Sequence, residues 1–216
     1  MNHNILSNVT CILTSCGRWD LLKVTLDSFF KYNTYPIKDF YIYEDSPQQI
    51  PRDLIDAYPI VWRGTGTRIG QIKALDYLWA EVKTPYAFTM EDDWEFTRPG
   101  FIEDSMKVLE SDPTILMTWL APVEPNNVHP IEWGNSDYGV FKTQPLLWSG
   151  TRFNPALKRK KDYDLIGSYG AHTTFEAHRP WRAEADIAKV YWRHGFKGAI
   201  LPQSYIKHIG EGRHIS

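Results

Sequence analysis

Cysteine, long apolar runs and net charge are all scarce in this chain, and each shortage removes a class of protein. The two cysteines, Cys11 and Cys16, lie five residues apart in a 216-residue sequence. That is neither a disulfide framework nor a zinc-ligand spacing, and it fits a reducing, intracellular setting. The first residues, Met-Asn-His-Asn-Ile-Leu, show no basic segment followed by an apolar one. No run approaches the roughly 18 apolar residues of a spanning helix. The expectation is therefore a soluble, cytoplasmic protein, with attachment at a membrane surface left open. A net charge of −2 and a pI near 6.4 exclude a global basic field that would attract nucleic acid or an acidic membrane. Internal repeats and low-complexity segments are missing too, and the length suits one domain with a substantial core.

Aromatic residues are in excess instead, with nine Trp and 14% Phe, Trp and Tyr together. Aromatic faces fill cores and also stack on sugars and bases, so the excess hints at a carbohydrate or nucleotide ligand.

The stretch around which the chain is organised is Tyr86-Ala87-Phe88-Thr89-Met90-Glu91-Asp92-Asp93-Trp94-Glu95-Phe96. It reads as a short buried strand that runs straight into three carboxylates. Packed acids repel one another and lose hydration, so a cation is needed to keep them ionised. Mg²⁺ or Mn²⁺ suits carboxylates at a strand end, with remaining ligands from water and substrate phosphates. The alternative is a solvated acidic turn capping a hairpin.

Around this stretch strands alternate with helices. Val9 to Thr14 is a strand, and Ser15-Cys16-Gly17-Arg18 is a polar loop after it. Leu22, Leu26, Phe29 and Phe30 then share one helix face from Trp19 onward. Asp39 to Tyr43 gives a second strand ending in Glu44-Asp45-Ser46-Pro47, and Ile60-Val61-Trp62 a third. Ile69, Ile72, Leu75, Leu78 and Trp79 mark a helix. Thr97, with Pro99 in the first turn, can cap a helix carried by Phe101, Ile102, Met106 and Leu109. Ile115 to Leu120 is a further strand. From about Pro122 to Tyr169 the pattern reads as loops and short strands that shape a binding site. Within it Lys158-Arg159-Lys160-Lys161 is a solvated basic loop or an anion contact. A helix from about Pro180 to His194, closed by Gly195, precedes the strand Gly198 to Pro202 and a His-rich tail. The alternation argues for an α/β sheet.

Glu184 shares its helix face with Ile187, Ala188 and Tyr191, residues that should be buried. Desolvation raises the pKa of such a carboxylate, which suits a general base near neutral pH; the alternative is a salt bridge to Arg179 or Arg182. Asp186, two residues on, points elsewhere and is the second candidate.

The order of these pieces resembles the GT-A glycosyltransferases, in particular the family 2-like inverting enzymes. The resemblance lies in Thr14-Ser15-Cys16-Gly17-Arg18, Tyr43-Glu44-Asp45-Ser46, Gly70-Gln71-Ile72-Lys73-Ala74-Leu75, Glu91-Asp92-Asp93, Arg182-Ala183-Glu184-Ala185-Asp186 and His208-Ile209-Gly210. It implies a Rossmann-like, mixed but mostly parallel central sheet flanked by helices. Residues 1–97 would form a nucleotide-sugar-binding half and residues 98–216 an acceptor-binding and catalytic half. By the same resemblance, Thr14, Ser15, Arg18 and the acid at Glu44 or Asp45 would hold base and ribose. Arg68 and Lys73 are the nearest cations to a diphosphate, or else ordinary surface charges. Glu91-Asp92-Asp93 would be the acidic metal motif, with Glu where the family usually has Asp. Asp93 is expected to bind the metal directly, and Glu91 or Asp92 to contact ribose or metal-bound water. His208 would complete the metal shell, with His214 close enough to compete. Trp148, Asn154 and Trp181 are plausible acceptor-site walls.

The activity implied is hexosyl or pentosyl transfer from a nucleoside-diphosphate sugar, UDP-linked being the commonest donor, to a hydroxyl of a glycan. A hydroxylated base in modified DNA is a further acceptor, which the balanced charge disfavours and the basic run favours. A sugar nucleotidyltransferase is the rival enzyme, because Gly64-Thr65-Gly66-Thr67-Arg68 matches that class's loop but lies far from the first strand. A catalytically silent sugar- or nucleotide-binding module is the remaining alternative.

Overall fold

A computed structural model describes residues 7–122, 129–134, 137–142, 149–173 and 181–213. The chain begins with the strand Val9–Ser15 (β1), buried along its whole length, as an inner strand of a sheet covered on both faces should be. The helix Trp19–Tyr32 (α1) follows, burying Leu22, Leu26 and Phe29 as their spacing predicts, while Phe30, expected on the same face, lies at its margin and is exposed. Next come Asp39–Glu44 (β2), Arg52–Ala57 (α2), Val61–Arg63 (β3), Gln71–Glu81 (α3) and Tyr86–Glu91 (β4). A turn at Asp92 and Asp93 leads to Trp94–Phe96 (β5), then Phe101–Ser111 (α4), Ile115–Trp119 (β6), Ile131–Trp133 (β7) and Gly139–Phe141 (β8). Ala156–Arg159 (β9), Lys160–Ile166 (α5), a 3-10 turn at Tyr169–Ala171, Trp181–Arg193 (α6), Lys197–Ile200 (β10) and Ile206–His208 (β11) complete the described elements.

The central sheet has the order β3-β2-β1-β4-β9. Its first four strands are parallel, and β9 runs antiparallel against β4. The register sets Ser15 beside Glu44 and Thr14 beside Glu91, so three strand ends finish level. A second sheet has the order β6-β10-β8-β7, and β5 pairs with β11 in a two-stranded ribbon. This is the mixed, mostly parallel sheet expected, with helices packed on it.

The ribbon matters most for the site. One edge of β5 pairs with β11, placing His208 opposite Trp94. Its other edge is completed by side chains of α1: the N–H groups of Trp94 and Phe96 donate to the hydroxyls of Thr25 and Ser28, at 3.1 and 3.0 Å. The short strand β5 thus has partners on both edges without a further strand beside it. Beneath them Phe29, Phe40, Phe88, Phe96 and Phe101 form one aromatic cluster, with Phe29 meeting Phe40 and Phe96 edge-on at 5.3 and 5.4 Å. Much of the aromatic excess therefore belongs to the core.

Three sequence expectations need correction. Thr97 does not cap α4; its N–H donates to Tyr205 O at 2.8 Å, continuing the ribbon, and the helix begins after Gly100, whose φ of 93° is left-handed. The region read as loops and short strands contains α5, a helix too short to persist alone. Asp76 of α3 anchors it by accepting from Tyr163 Oη (2.8 Å) and from the N–H groups of Tyr169 and Gly170 just beyond it (2.7 and 2.9 Å).

The basic run 158–161 is neither a solvated loop nor an anion contact over its first half. Lys158 and Arg159 are 3% and 6% exposed. Arg159 pairs with Asp162 at 2.6 Å and donates to the carbonyls of Leu109 (2.7 Å), Pro113 (2.9 Å) and Ile115. It ties the C-terminal turn of α4 and the start of β6 to the central sheet, where a cation also suits the helix end. Replacing Arg159 with Met leaves Asp162 and those carbonyls buried without a partner. Urea unfolding should show a loss of about 3–5 kcal/mol; a loss below about 1 kcal/mol would mean that the guanidinium is dispensable.

Candidate active site

The level ends of β1, β2 and β4 bring Thr14, Ser15, Glu44 and Glu91 to one edge of the sheet, and the turn after β4 adds Asp92 and Asp93. The cation that holds this group is Arg18. Its Nη2 and Nε engage the two oxygens of Asp92, and its Nη1 donates to Asp93 Oδ2 at 2.9 Å. Asp92 is buried and also accepts from Ser15 Oγ at 3.2 Å and from the N–H of Cys16 at 3.3 Å. Burial pushes its carboxyl up, and the guanidinium pulls it back towards the charged form. Arg18 was assigned above to base and ribose; its observed partners are the acids.

Asp93 is held from the opposite side by the ribbon. Its carbonyl accepts the N–H of Ile209 at 2.9 Å, and its Oδ2 stands 3.4 Å from His208 Nε2. Gly210 closes against it so tightly that an added Cβ would lie 2.4 Å from Asp93 Oδ2. A carboxylate and an imidazole converging in this way form a donor set that Mn²⁺ accepts. Among the described residues no three His, Cys, Asp or Glu side chains are arranged to hold a metal ion together, so a metal here would draw its other ligands from water and substrate.

Glu44 faces a cleft of about 380 Å³ lined by Tyr43, Glu44, Ser46, Gln48, Trp62 and Gly64 among others. Its Oε1 accepts the N–H of Gly17 at 2.8 Å, whereas Oε2 is buried with no hydrogen-bond partner of normal geometry. Burial raises its carboxyl, opposed by the Ser46 and Ser15 hydroxyls nearby. Tyr43 Oη and Trp62 Nε1, also on this cleft, are buried and unsatisfied. Buried polar groups without a partner are uncommon, and here three of them border one cleft. Asp45 is committed elsewhere: its two oxygens accept the N–H groups of Ile69 (2.6 Å) and Gly70 (2.9 Å) at the start of α3. It fills the position that a phosphate would seek at that helix end.

A third cluster joins Glu91 to Glu184 of α6. Glu91 accepts from Gln71 Nε2 at 2.6 Å and Trp94 Nε1 at 3.3 Å. Burial, then the charges of Asp93 and Glu184, push it up to about 8. Glu184 is half-buried and accepts the N–H of Phe153 at 2.8 Å. Burial raises its carboxyl too, opposed by Phe153, Arg152 and Lys158. Lys158 lies buried between these acids, and desolvation brings it down to about 8. Arg182, offered above as a salt-bridge partner for Glu184, instead lies 3.7 Å from Asp186. Asp186 also meets Lys189 and the Thr173 hydroxyl, so it points away from Glu91 as its helix position predicts.

Of the remaining candidates, Arg68 is exposed in the loop after β3 and acts electrostatically on the Cys16 thiol, and Lys73 is exposed in the first turn of α3. Asn154 is half-buried next to Phe153. Trp181 is 64% exposed at the start of α6. Trp148, Arg179 and His214 fall outside the described residues. Sequence reasoning gave no site role to Trp62, in the middle of β3, and none to the side chains of Tyr43 and Gln71, although both lie in the stretches that carry the resemblance; Lys158 it read only as part of a surface basic run.

Compared with solved structures, the chain aligns with the mannosyltransferase PcManGT from Pyrobaculum calidifontis, solved in complex with GDP-Man and Mn²⁺. The match has a TM-score of 0.67 and 14% identity over 95% of this chain and 58% of that one. S. aureus TarS 1–349 matches with a TM-score of 0.63 and 11% identity over 92% of this chain and 59% of that one. This chain shares their GT-A-like fold while spanning under three-fifths of their length. No protein-family model and no curated protein matches the sequence.

The Glu91 environment predicts how stability follows pH in metal-free protein. With the folded pKa near 8 and an ordinary value of 4.5, folded Glu91 keeps a proton that the unfolded chain releases between these limits. Its contribution is therefore fully present below about pH 4.5 and is lost as pH rises towards 8. Urea unfolding in EDTA at pH 5 and pH 8 should show Glu91→Gln gaining on the wild type as pH rises. Equal pH dependence in the two proteins would contradict this placement of the charge.

Proposed function

We propose that this chain is a metal-dependent, inverting glycosyltransferase of the family 2-like kind, transferring a sugar from a nucleoside-diphosphate sugar to a hydroxyl of a glycan acceptor. One observation carries the reading. A single sheet edge gathers a cleft with a half-satisfied carboxylate, an acidic turn and a half-buried Glu184 delivered from a distant helix. The GT-A-like fold of the neighbours supports it, as does the GDP-Man and Mn²⁺ bound in one of them.

In this reading residues 1–97 hold the donor and residues 98–216 the acceptor and the base. Glu44, Tyr43 and Trp62 offer an acceptor and two N–H or O–H groups to the nucleobase. Asp93 and His208 would hold Mn²⁺ or Mg²⁺, which would neutralise charge on the departing diphosphate. Glu184 takes the proton of the acceptor hydroxyl. The oxygen then bonds to the anomeric carbon from the face opposite the diphosphate, and the nucleoside diphosphate leaves with the electron pair of the broken bond. Asn154 and Trp181 stand on the acceptor side. Against a nucleotidyltransferase stands Asp45, which already takes the N–H groups that follow the Gly64 to Arg68 loop. The basic run gives no support to a DNA acceptor, because Lys158 and Arg159 are buried.

Thermal shift against UDP, GDP and their sugar conjugates, each with and without Mn²⁺, should show a Mn²⁺-dependent rise with one base. At about 100 times Kd the rise corresponds to roughly 2.7 kcal/mol. Glu44→Gln should weaken that nucleotide roughly 10- to 100-fold, the worth of one hydrogen bond to a charged group. Affinity unaltered by chelator and by Asp93→Ala would remove the metal from the proposal.

Glu184→Gln tests the base separately. Turnover should fall by roughly 10²- to 10⁴-fold while donor affinity stays unchanged. Retained turnover would exclude Glu184 as the base, and loss of donor affinity instead would assign it to binding.

A further inference from the structure

The proposed chemistry leaves Lys158 without a role, although its ammonium is the most deeply buried cation at the site. Its backbone pairs with Ala87 of β4, and strand alternation turns its side chain to the face that carries Glu91. Nζ donates to the carbonyl of Arg152 at 3.2 Å. The N–H of that same peptide group, on Phe153, donates to Glu184 Oε1 at 2.8 Å. Because the two ends of a trans peptide point in opposite directions, the ammonium sits at the negative end of its dipole and the carboxylate at the positive end. Each bond polarises the other and strengthens it. Packing gives no reason for a charge there: Ala156 and Leu157 beside it are buried and apolar, and a buried ammonium is costly unless a partner compensates it.

We propose that Lys158 is the positioning residue for Glu184, fixing its carboxylate through the Arg152–Phe153 peptide group and sharing with Arg152 the supply of its counter-charge. The catalytic meaning of this rests on the reading of Glu184 as general base; the coupling itself does not. The charged groups that face Glu184 are Lys158 from β9, Arg152 from the loop before it, and Glu91 from the end of β4, which opposes the other two. Lys158 thus joins the Phe153 N–H and Arg152 in opposing the upward push of burial on this carboxylate, and the peptide group sets the direction in which it presents its other oxygen.

The test needs no substrate. With ¹³C-labelled glutamate, the side-chain carboxyl signal of Glu184 is assigned by its loss in Glu184→Gln and followed against pH. In Lys158→Met the titration midpoint should rise by about one pH unit or more, the effect of removing an opposite charge at close range. Lys158→Gln, which keeps a donor for the carbonyl but removes the charge, should show the same rise and serves if the methionine protein does not fold. Unchanged midpoints would overturn the proposal. A parallel assay follows Mn²⁺-supported release of UDP from UDP-glucose or GDP from GDP-mannose, whose acid limb should move with the midpoint. If Glu184→Gln retains full turnover while the midpoint still moves, the base assignment fails and the Lys158 coupling stands.

Discussion

Parallel pairing of β2, β1 and β4 in level register delivers Glu44, Glu91 and the Asp92–Asp93 turn to one short stretch of sheet edge. Acids so close, and so little hydrated, would drive one another towards the neutral form or push the strands apart unless cations were interleaved. Arg18 supplies the nearest one. Its planar fork reaches both oxygens of Asp92 and one of Asp93, so a single side chain from the first loop fixes the turn after β4. The loop before α1 and the turn before β5 are thereby locked together across more than seventy residues of sequence.

The ribbon solves a second problem. A three-residue strand has too few hydrogen bonds to hold its own position. Here β5 is gripped by Thr25 and Ser28 on one edge and by β11 on the other, over an apolar base of phenylalanines. That grip brings His208 and Gly210, from the far end of the chain, onto Asp93. The close contact at Gly210 explains why a residue without a Cβ is needed beside the acid. Precision at the Asp93–His208 pair is therefore a product of core packing some distance below it.

Much of this could be read from the residues. The 3.6 spacing of Leu22, Leu26 and Phe29, the apolar run from Tyr86, and the face shared by Glu184 with Ile187, Ala188 and Tyr191 each reflect local geometry, and local geometry is what a sequence records directly. The burial of Lys158 and Arg159 could not be read that way. Four consecutive cations look the same whether water or protein surrounds them, and what decides the matter here is three carbonyls at Leu109, Pro113 and Ile115, more than forty residues away. The role of Arg18 was hidden for the same reason, since its partners are 74 and 75 residues distant. Asp45 and Glu44 are adjacent and chemically alike. Only the fold distinguishes the one that ties down α3 from the one with a free oxygen.

The two ends of the acidic stretch are consequently handled in opposite ways. Asp92 and Asp93 are both met by a guanidinium in direct contact, which opposes the upward push of burial on Asp92. Glu91 and Glu184 are desolvated and share the more distant ammonium of Lys158, and both are pushed up from ordinary carboxyl behaviour. A carboxylate that is to act as a general base near neutral pH gains from that second environment, because direct ion pairing holds a carboxyl too acidic for the task. The sheet edge thus divides one run of acids into a side met by a guanidinium in direct contact and a side that shares a more distant ammonium, and the division falls at the peptide bond between Glu91 and Asp92.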